Sequence, residues 1–325
     1  MAVRNVRDRQ NQGFIMKNVL VTCPPMLGLI DEFTSYAAER GITLVPAKVT
    51  QVLSVEELVE KVPQYDGWII GDDPATEAVF KAGKEGQLKA AVKWGIGVDN
   101  VDFAACKALD LPIINTPMMF GKEVSDIAVA YVIGLARHLF EINQSVRQDK
   151  AWPKPAGISL EGKKVGVVGL GDIGYNVCKR LLACDMDVVA YDPGVEGDAG
   201  LPALRRASWP EQTDTLDFLV FTCALNQHNF HMLNADVLNG AKDGIRIVNV
   251  ARGPLIDESA LISALQSGKV FSAALDVFEI EPLPDNSPLR DMPRCVFGTH
   301  NGSNTKDAVI RASHEAIDKI AGFLA

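Results

Sequence analysis

The sequence has 325 residues, of which 47% are hydrophobic and 22% are charged, fractions typical of globular rather than disordered proteins. At roughly 100–200 residues per domain, this length predicts two domains, each able to bury a core without disulfides or metals. The net charge of −9 excludes a general binding surface for nucleic acid or anionic membranes, and it leaves a local basic pocket open.

The sequence also lacks features of a membrane or disulfide-bonded protein. No apolar run approaches the ~18 residues of a membrane span, and residues 1–15 have no apolar signal core. We expect residues 1–15 to be a loose tail, with Met16 as a second candidate start. The six cysteines include no Cys-x-x-Cys pair, and their spacing predicts neither disulfides nor a zinc site. We therefore expect reduced thiols, a cytoplasmic protein, and no membrane or nucleic-acid partner.

Short β-branched runs alternate with helical stretches from Lys17 onward, which predicts parallel strands connected by helices. A helix is predicted at residues 27–40, ended by Gly41. A first set of buried strands is predicted at residues 17–23, 66–70, 88–94 and 112–116.

A helix with apolar residues at helical spacing is predicted at 123–139, and a Pro-containing loop at 152–155 follows it. A second set of strands is predicted at residues 163–169, 187–191, 217–223, 245–250, 272–277 and 294–298. A last helix is predicted from Asn304 onward. Two sets of strands alternating with helices predict an α/β protein with two doubly wound parallel sheets.

A glycine-rich motif, Gly169-Leu-Gly171-Asp172-Ile173-Gly174, follows the first strand of the second set and opens a helix. In that setting, Gly169 permits a tight turn, Gly171 lets the backbone approach a pyrophosphate, and Gly174 lets helix and strand pack closely. The helix N-terminus offers N–H groups and a partial positive charge to the phosphates. The motif therefore predicts a dinucleotide site.

The next strand ends at Asp192, whose carboxylate can accept both ribose hydroxyls of NAD and would repel the extra phosphate of NADP. Pro193 and Gly194 follow, so no adjacent Arg or Lys is available to hold that phosphate. We predict NAD as the cofactor. The alternative is a structural glycine turn with an unrelated surface aspartate.

Three polar residues, Arg252, Glu281 and His300, follow strands of the second set. Because ligands bind outside the carboxyl ends of strands in such sheets, all three should open onto the crevice of the glycine loop. Arginine can bind a carboxylate and polarise a carbonyl, histidine can exchange a hydroxyl proton, and a carboxylate can orient the histidine. This set suits hydride exchange with NAD at a carbon that bears a hydroxyl group.

Each of these residues also has a purely structural interpretation. Arg252 could lie in a turn, Glu281 could merely precede Pro282, and His300 could cap the last helix. His228 and His231 are three residues apart without a further ligand set, so we predict no metal site.

Several segments in a fixed order resemble the D-isomer-specific 2-hydroxyacid dehydrogenase family: GLGDIG, VNVARGPLIDESAL, ALDVFEIEPLP, THNGS, WGIGVDNVD and NTPMMFGKEV. The resemblance runs from about Lys17 to the C-terminus. It implies that Arg252 binds the substrate carboxylate and carbonyl, that His300 is the general acid/base, and that Glu281 is its partner. It further implies that Asp276 receives the nicotinamide carboxamide and that Ala251 borders the cofactor. Substrate contacts would come from Lys93, Gly95, Ile96 and Gly97.

The resemblance also implies an architecture. A discontinuous substrate-binding domain would comprise residues 1–116 and 301–325, and residues 117–300 would form the NAD-binding Rossmann domain. A small 2-hydroxy or 2-keto acid would lie in the cleft between them. Such proteins form homodimers through the helix at 123–139 and the loop after it, and Trp152 would then reach the partner's cleft.

The substrate is less closely defined by the residues. Where phosphoglycerate enzymes have a basic residue, this chain has Gly71-Asp72-Asp73, and two carboxylates should repel a phosphate; Lys93 could compensate. The sequence ends at Ala325, so we expect no serine-sensing domain. We prefer a small unphosphorylated 2-hydroxy acid, with D-3-phosphoglycerate as the alternative. Formate dehydrogenases have Gln where this chain has Glu281, so Glu281 argues against formate as the substrate. The alternative from another functional class is an NAD(H)-sensing, corepressor-like binding protein.

Overall fold

The computed structural model describes residues 16–325, which divide into two compact units, each built on one parallel sheet. The first unit extends to Pro117 and resumes at Val309–Ala325, and the second is Met118–Ala308. The tail expected at residues 1–15 lies outside the described residues. Among the described helices, none combines the length and the apolar character needed to cross a membrane.

The first unit alternates strands and helices, as its sequence predicts. Its strands are β1 (Lys17–Val21), β2 (Ile42–Pro46), β3 (Gly67–Ile70), β4 (Ala90–Lys93) and β5 (Ile113–Asn115). Its helices are α1 (Pro24–Leu27), α2 (Ile30–Ala38), α3 (Val55–Lys61), α4 (Glu77–Glu85) and α5 (Phe103–Ala108). All paired strands are parallel, in the order β2-β1-β3-β4-β5.

The four predicted strands of this unit are present, and β2 is an addition. Only the first residue of β2, Ile42, is fully buried, whereas β3 and β4 are buried along their whole length. The strand ends in Pro46, and a proline within a short apolar run is typical of an edge strand or of no strand at all.

The second unit contains the longer sheet. Its strands are β6 (Lys164–Val168), β7 (Asp187–Tyr191), β8 (Arg205–Arg206), β9 (Phe218–Phe221), β10 (Ile245–Asn249), β11 (Val270–Leu275) and β12 (Cys295–Phe297). Its helices are α6 (Gly121–Arg137), α7 (Leu139–Gln144), α8 (Asp172–Ala183), α9 (Ala235–Gly240) and α10 (Glu258–Ser267), and α11 (Lys306–Leu324) begins near its end. The strand order is β12-β11-β10-β9-β6-β7-β8, with every pair parallel.

In the second sheet β6 and β9 are neighbours, although β7 and β8 lie between them in sequence. From β6 the chain adds β7 and β8 on one side, and from β9 it adds β10, β11 and β12 on the other side. At such a switch point the connections leave the two strands in opposite directions and open a crevice at their carboxyl ends. The glycine motif directly follows β6. The prediction of an α/β protein with two doubly wound parallel sheets is confirmed.

Candidate active site

The glycine loop after β6 is tight on one side and open on the other. Gly169 has φ +95°, and an added Cβ would lie 2.6 Å from the Cα of Cys223 after β9. A Cβ at Gly174 would lie 1.9 Å from the carbonyl oxygen of Gly169, so helix and loop pack without side chains between them. Around Gly171, no heavy atom other than those of the glycine and its two chain neighbours lies within 4 Å of the Cβ position. This open cradle at a switch point fits a dinucleotide phosphate.

Helix α8 begins directly at this loop, with Gly171 as its N-cap and Asp172 as its first residue. The Asp172 carboxylate packs against Gly121 at the start of α6, where an added Cβ would come within 2.4 Å of all three carboxylate atoms. Ile173 and Gly174 complete the first turn. The helix N-terminus therefore faces the cradle, as the motif predicts.

The carboxylate of Asp192, at the end of β7, is bound to the same loop. One oxygen accepts the N–H of Leu170 at 2.7 Å, and the other accepts that of Gly194 at 2.8 Å. Each carboxylate oxygen has a second lone pair, so ribose hydroxyls can still donate to both. The position of Asp192 fits an NAD ribose.

One arginine in this region was missed by the sequence analysis because β8 is only two residues long. Arg206 of β8 donates to the carbonyl oxygens of Asp192, Val195 and Gly197, the last two at 2.8 and 3.2 Å. Its guanidinium therefore supports the loop after β7 by binding carbonyl groups. The predicted preference for NAD over NADP stays a prediction.

Cys223 lies against Gly169 and could be mistaken for a nucleophile. Burial raises the pKa of its thiol to about 12. Because the thiolate is the reactive form, this cysteine stays protonated and serves as packing for the glycine loop.

Arg252 follows β10 in a turn that is held by buried Asn249. The Asn249 amide donates to the carbonyl of Arg252 at 2.8 Å and its oxygen accepts the N–H of Ala251 at 3.0 Å. Nη1 of Arg252 donates to the Ala251 carbonyl at 2.8 Å. The next residue, Gly253, packs directly against the backbone of Phe278. A Cβ added at Gly253 would lie 1.9 Å from the carbonyl carbon of Phe278.

Glu281 and His300 form a pair, although 19 residues separate them in sequence. Nδ1 of His300 donates to Oε2 of Glu281 at 2.8 Å, and the N–H of Phe278 donates to the other oxygen at 3.0 Å. Both side chains are 22% exposed, so the pair is partly accessible rather than buried in the core. With Nδ1 bound to Glu281, His300 would exchange protons with a substrate through Nε2.

Asp276, after β11, has a structural role beside this pair. It is buried, and its two carboxylate oxygens accept the N–H groups of Asn301 and Gly302 at 3.2 and 2.8 Å. Its carbonyl accepts the N–H of His300 at 2.7 Å. Asp276 therefore fixes the segment that carries His300, which has φ +54°. Its binding of a nicotinamide carboxamide stays a prediction, as does the place of Ala251 beside the cofactor.

In the first unit, Lys93 lies beneath the predicted substrate loop. Its ammonium is buried and donates to Oδ1 of Asp72 and to the carbonyl of Trp94, both at 3.1 Å. Gly95 has φ +119°, and a Cβ added to it would lie 3.7 Å from the Lys93 ammonium. The substrate contacts predicted for Lys93, Gly95, Ile96 and Gly97 stay predictions, and Lys93 is already paired with a carboxylate.

The two aspartates after β3 differ in environment. Asp73 is fully buried, accepts the N–H groups of Leu53 and Gly71, and is hydrogen-bonded by the Thr22 hydroxyl. Asp72 is one-third exposed. The expected repulsion of a phosphate would therefore come from Asp72, because Asp73 is bound within the fold.

The structure gives the two histidines of the loop after β9 separate surroundings. His228 contacts Gln227 at the surface. His231 lies beside Asp257 and Glu279. Each residue has one atom that could bind a metal ion, and these three atoms lie within 4.8 Å of one another. The oxygens of these carboxylates already accept hydrogen bonds from the start of α10, at Glu258 and Ala260. Sequence analysis missed this cluster because its members come from three separate segments.

Comparisons with known proteins identify the family. Residues 129–302 match the family described as D-isomer specific 2-hydroxyacid dehydrogenase, NAD binding domain. A hydroxypyruvate reductase from Thermotoga maritima is 35% identical over 82% of this chain and 88% of its own length. A D-3-phosphoglycerate dehydrogenase from Archaeoglobus fulgidus is 31% identical over 86% of this chain, and the chain spans about half, 52%, of that relative.

A crystal structure of a protein from Thermus thermophilus superimposes with a TM-score of 0.82 and 29% identity, covering 94% of this chain and 96% of that one. The second unit thus has the sequence, the strand order and the glycine cradle of an NAD-binding domain. The chain belongs to the D-isomer-specific 2-hydroxyacid dehydrogenase family and binds NAD.

Proposed function

We propose that this protein is an NAD-dependent 2-hydroxyacid dehydrogenase that interconverts a small, unphosphorylated D-2-hydroxy acid and its 2-keto acid. The observation that carries the proposal is the 2.8 Å pair of His300 and Glu281, placed after strands of the NAD-binding sheet. Family membership supports an oxidoreductase, and the pair supplies the acid–base group that alcohol oxidation needs.

The side chains divide the chemistry among them. NAD, when bound in the glycine cradle, takes up or supplies the hydride. His300 accepts the hydroxyl proton during oxidation and returns it to the carbonyl oxygen during reduction. Glu281 orients the imidazole ring and stabilises its charged form. Arg252 binds the substrate carboxylate through its planar fork and polarises the adjacent carbonyl.

Two observations favour an unphosphorylated substrate such as hydroxypyruvate. The relative from Thermotoga maritima, matched over most of both chains, is a hydroxypyruvate reductase. The buried ammonium of Lys93 is paired with Asp72, so this pair adds no net positive charge to hold a phosphate. D-3-Phosphoglycerate stays the alternative, because phosphoglycerate dehydrogenases are also among the relatives.

A panel of 2-keto acids with NADH tests both the reaction and the substrate class. We expect glyoxylate, hydroxypyruvate or pyruvate to be reduced with a higher kcat/KM than phosphohydroxypyruvate. In Asp72→Asn the relative kcat/KM for phosphohydroxypyruvate should rise about tenfold, because a carboxylate near the phosphate is removed. A wild-type preference for phosphohydroxypyruvate would contradict the unphosphorylated class and support the alternative.

The same panel separates an enzyme from an NAD(H)-sensing binding protein. Turnover of any 2-keto acid supports the enzyme. Tight NADH binding, measured by fluorescence, without turnover of any 2-keto acid in the panel would support the sensor. In such a protein, cofactor binding would change the affinity for partners.

Asp192 should make the protein prefer NAD to NADP. Its carboxylate, fixed by Leu170 and Gly194, would face a 2′-phosphate as a like charge. We expect kcat/KM to be higher with NAD, and Asp192→Asn to reduce that preference at least about tenfold. Equal kcat/KM values of the wild type for the two cofactors would contradict this role.

We also propose a homodimer formed through α6, α7 and the following loop. Four large apolar side chains in this stretch are exposed: Leu139, Phe140, Val146 and Trp152. Exposed apolar groups concentrated in one stretch are typical of protein interfaces. Trp152, at 80% exposed, is the largest of them.

A further inference from the structure

His231 connects the turn that carries Arg252 with the loop that carries Glu281. Its backbone N–H donates to the carbonyl of Pro254 at 2.8 Å, two residues after Arg252. Its Nε2 lies 2.9 Å from Oε1 of Glu279, two residues before Glu281. The backbone of His231 has φ +52°, which is uncommon for a residue with a side chain. A single residue thus contacts both segments of the site.

Glu279 is joined in turn to the start of α10. Its Oε1 accepts the N–H of Glu258 at 2.9 Å, and its own N–H donates to Oε2 of Glu258 at 3.4 Å. Two adjacent carboxylates would repel each other, but each accepts a backbone N–H of the other residue. The N–H that Glu279 accepts lies at the positive end of α10, a ten-residue helix. This reciprocal connection fixes the backbone of Glu279 relative to α10.

Glu279 is linked to the acid–base pair through the residue before it. Phe278, the residue before Glu279, donates its N–H to Glu281 at 3.0 Å, and the other oxygen of Glu281 binds His300. A displacement of Glu279 would therefore move the donor that holds the Glu281 carboxylate. An error of about 1 Å in the placement of a reacting group can lower a rate about 100-fold.

We propose that Glu279, hydrogen-bonded by the backbone of Glu258 and in contact with His231, is a positioning residue for the Glu281–His300 pair. The inference rests on the proposed function, because it concerns the acid–base pair of that reaction. Glu279 is not needed to touch the substrate; it acts through the backbone of Phe278 and the carboxylate of Glu281.

The test compares Glu279→Ala with Glu279→Gln. Alanine removes the acceptor for Glu258, so kcat should fall about tenfold and the midpoint of the pH–rate profile should move to lower pH. The midpoint falls because a displaced Glu281 stabilises the charged imidazole less. Glutamine keeps an oxygen that can accept the Glu258 N–H, and it should retain most of the wild-type rate. NADH affinity, measured by fluorescence, should not change in either variant.

A double-mutant cycle decides whether Glu279 acts through Glu281. Glu281→Gln alone should lower the profile midpoint, and adding Glu279→Ala should then produce no further shift. Additive shifts, or a wild-type midpoint in Glu279→Ala, would overturn the proposal. Asp243→Asn is the matched control, because this exposed carboxylate binds only Lys269 among the contacts described and should leave the profile unchanged.

Three further experiments distinguish the possible outcomes. If Glu279→Ala does not fold, His231→Ala removes a contact to the same oxygen, and it should shift the midpoint in the same direction. The NMR titration of His300, one of five histidines, reports on the pair without turnover. Absence of turnover in the wild type would defeat the proposed function, whereas an unshifted His300 titration in Glu279→Ala would defeat this inference. Loss of activity on dialysis against EDTA, restored by zinc, would instead assign the Glu279 oxygen to a metal and overturn the proposal.

Discussion

Replacing His300 with alanine should lower kcat by about 10²–10⁴-fold, the range that a general acid/base contributes, while NADH binding stays nearly unchanged. The imidazole is bound through Nδ1 to Glu281, which directs proton exchange to Nε2. Alanine has no group to accept the hydroxyl proton. The residues that fit the cofactor lie in the loops after β6 and β7 and do not depend on the His300 side chain.

Stopped-flow reduction of the preferred keto acid, together with NADH fluorescence titration, would measure the two effects separately. His228→Ala is a matched control, because that histidine is exposed and contacts Gln227. A decrease of only a few-fold in kcat would remove His300 from the acid–base role. A large decrease in NADH affinity would indicate that the substitution had disturbed the fold around Asp276 instead.

The positions of the main site residues could be predicted because each depends on a local signal. The glycine motif is specified by steric needs that only glycine meets, and the contacts of Gly169 and Gly174 agree with this reason. Arg252 and His300 were proposed from a topological rule, since the carboxyl ends of parallel strands meet at one edge of a sheet. Neither inference required knowledge of long-range side-chain contacts.

The residues that sequence analysis missed depend on such long-range contacts. His231, Glu258 and Glu279 come from three segments, and no spacing in the sequence indicates that they touch. Asp73 resembled Asp72 in the sequence, yet one is bound by backbone N–H groups in the core and the other is one-third exposed. Hydrophobic periodicity reports which face is buried, but it does not report which polar group meets which.

Gly253→Ala should lower kcat about 100-fold, although the added group is a single methyl. An ideal Cβ at Gly253 would lie 1.9 Å from the carbonyl carbon of Phe278, 2.0 Å from its oxygen and 2.4 Å from the nitrogen of Glu279. These are backbone atoms and cannot rotate away, so the Arg252 turn and the Glu281 loop must separate. A shift of about 1 Å between groups that act on one substrate can cost about 100-fold in rate.

The glycine cradle lies in other loops, so we expect Gly253→Ala to bind NADH with little change while kcat falls. Thermal unfolding should show a lower Tm, because overpacking a buried contact costs about 1–3 kcal/mol. Gly240→Ala is the control, because no atom outside its own helical turn lies within 4 Å of its Cβ position and its φ is not positive. A folded Gly253→Ala protein with the wild-type kcat would show that the turn of Arg252 need not pack against the loop of Glu281. A rate that is low at low substrate concentration but reaches the wild-type value at saturation would instead place the loss in substrate binding, because only KM would then have risen.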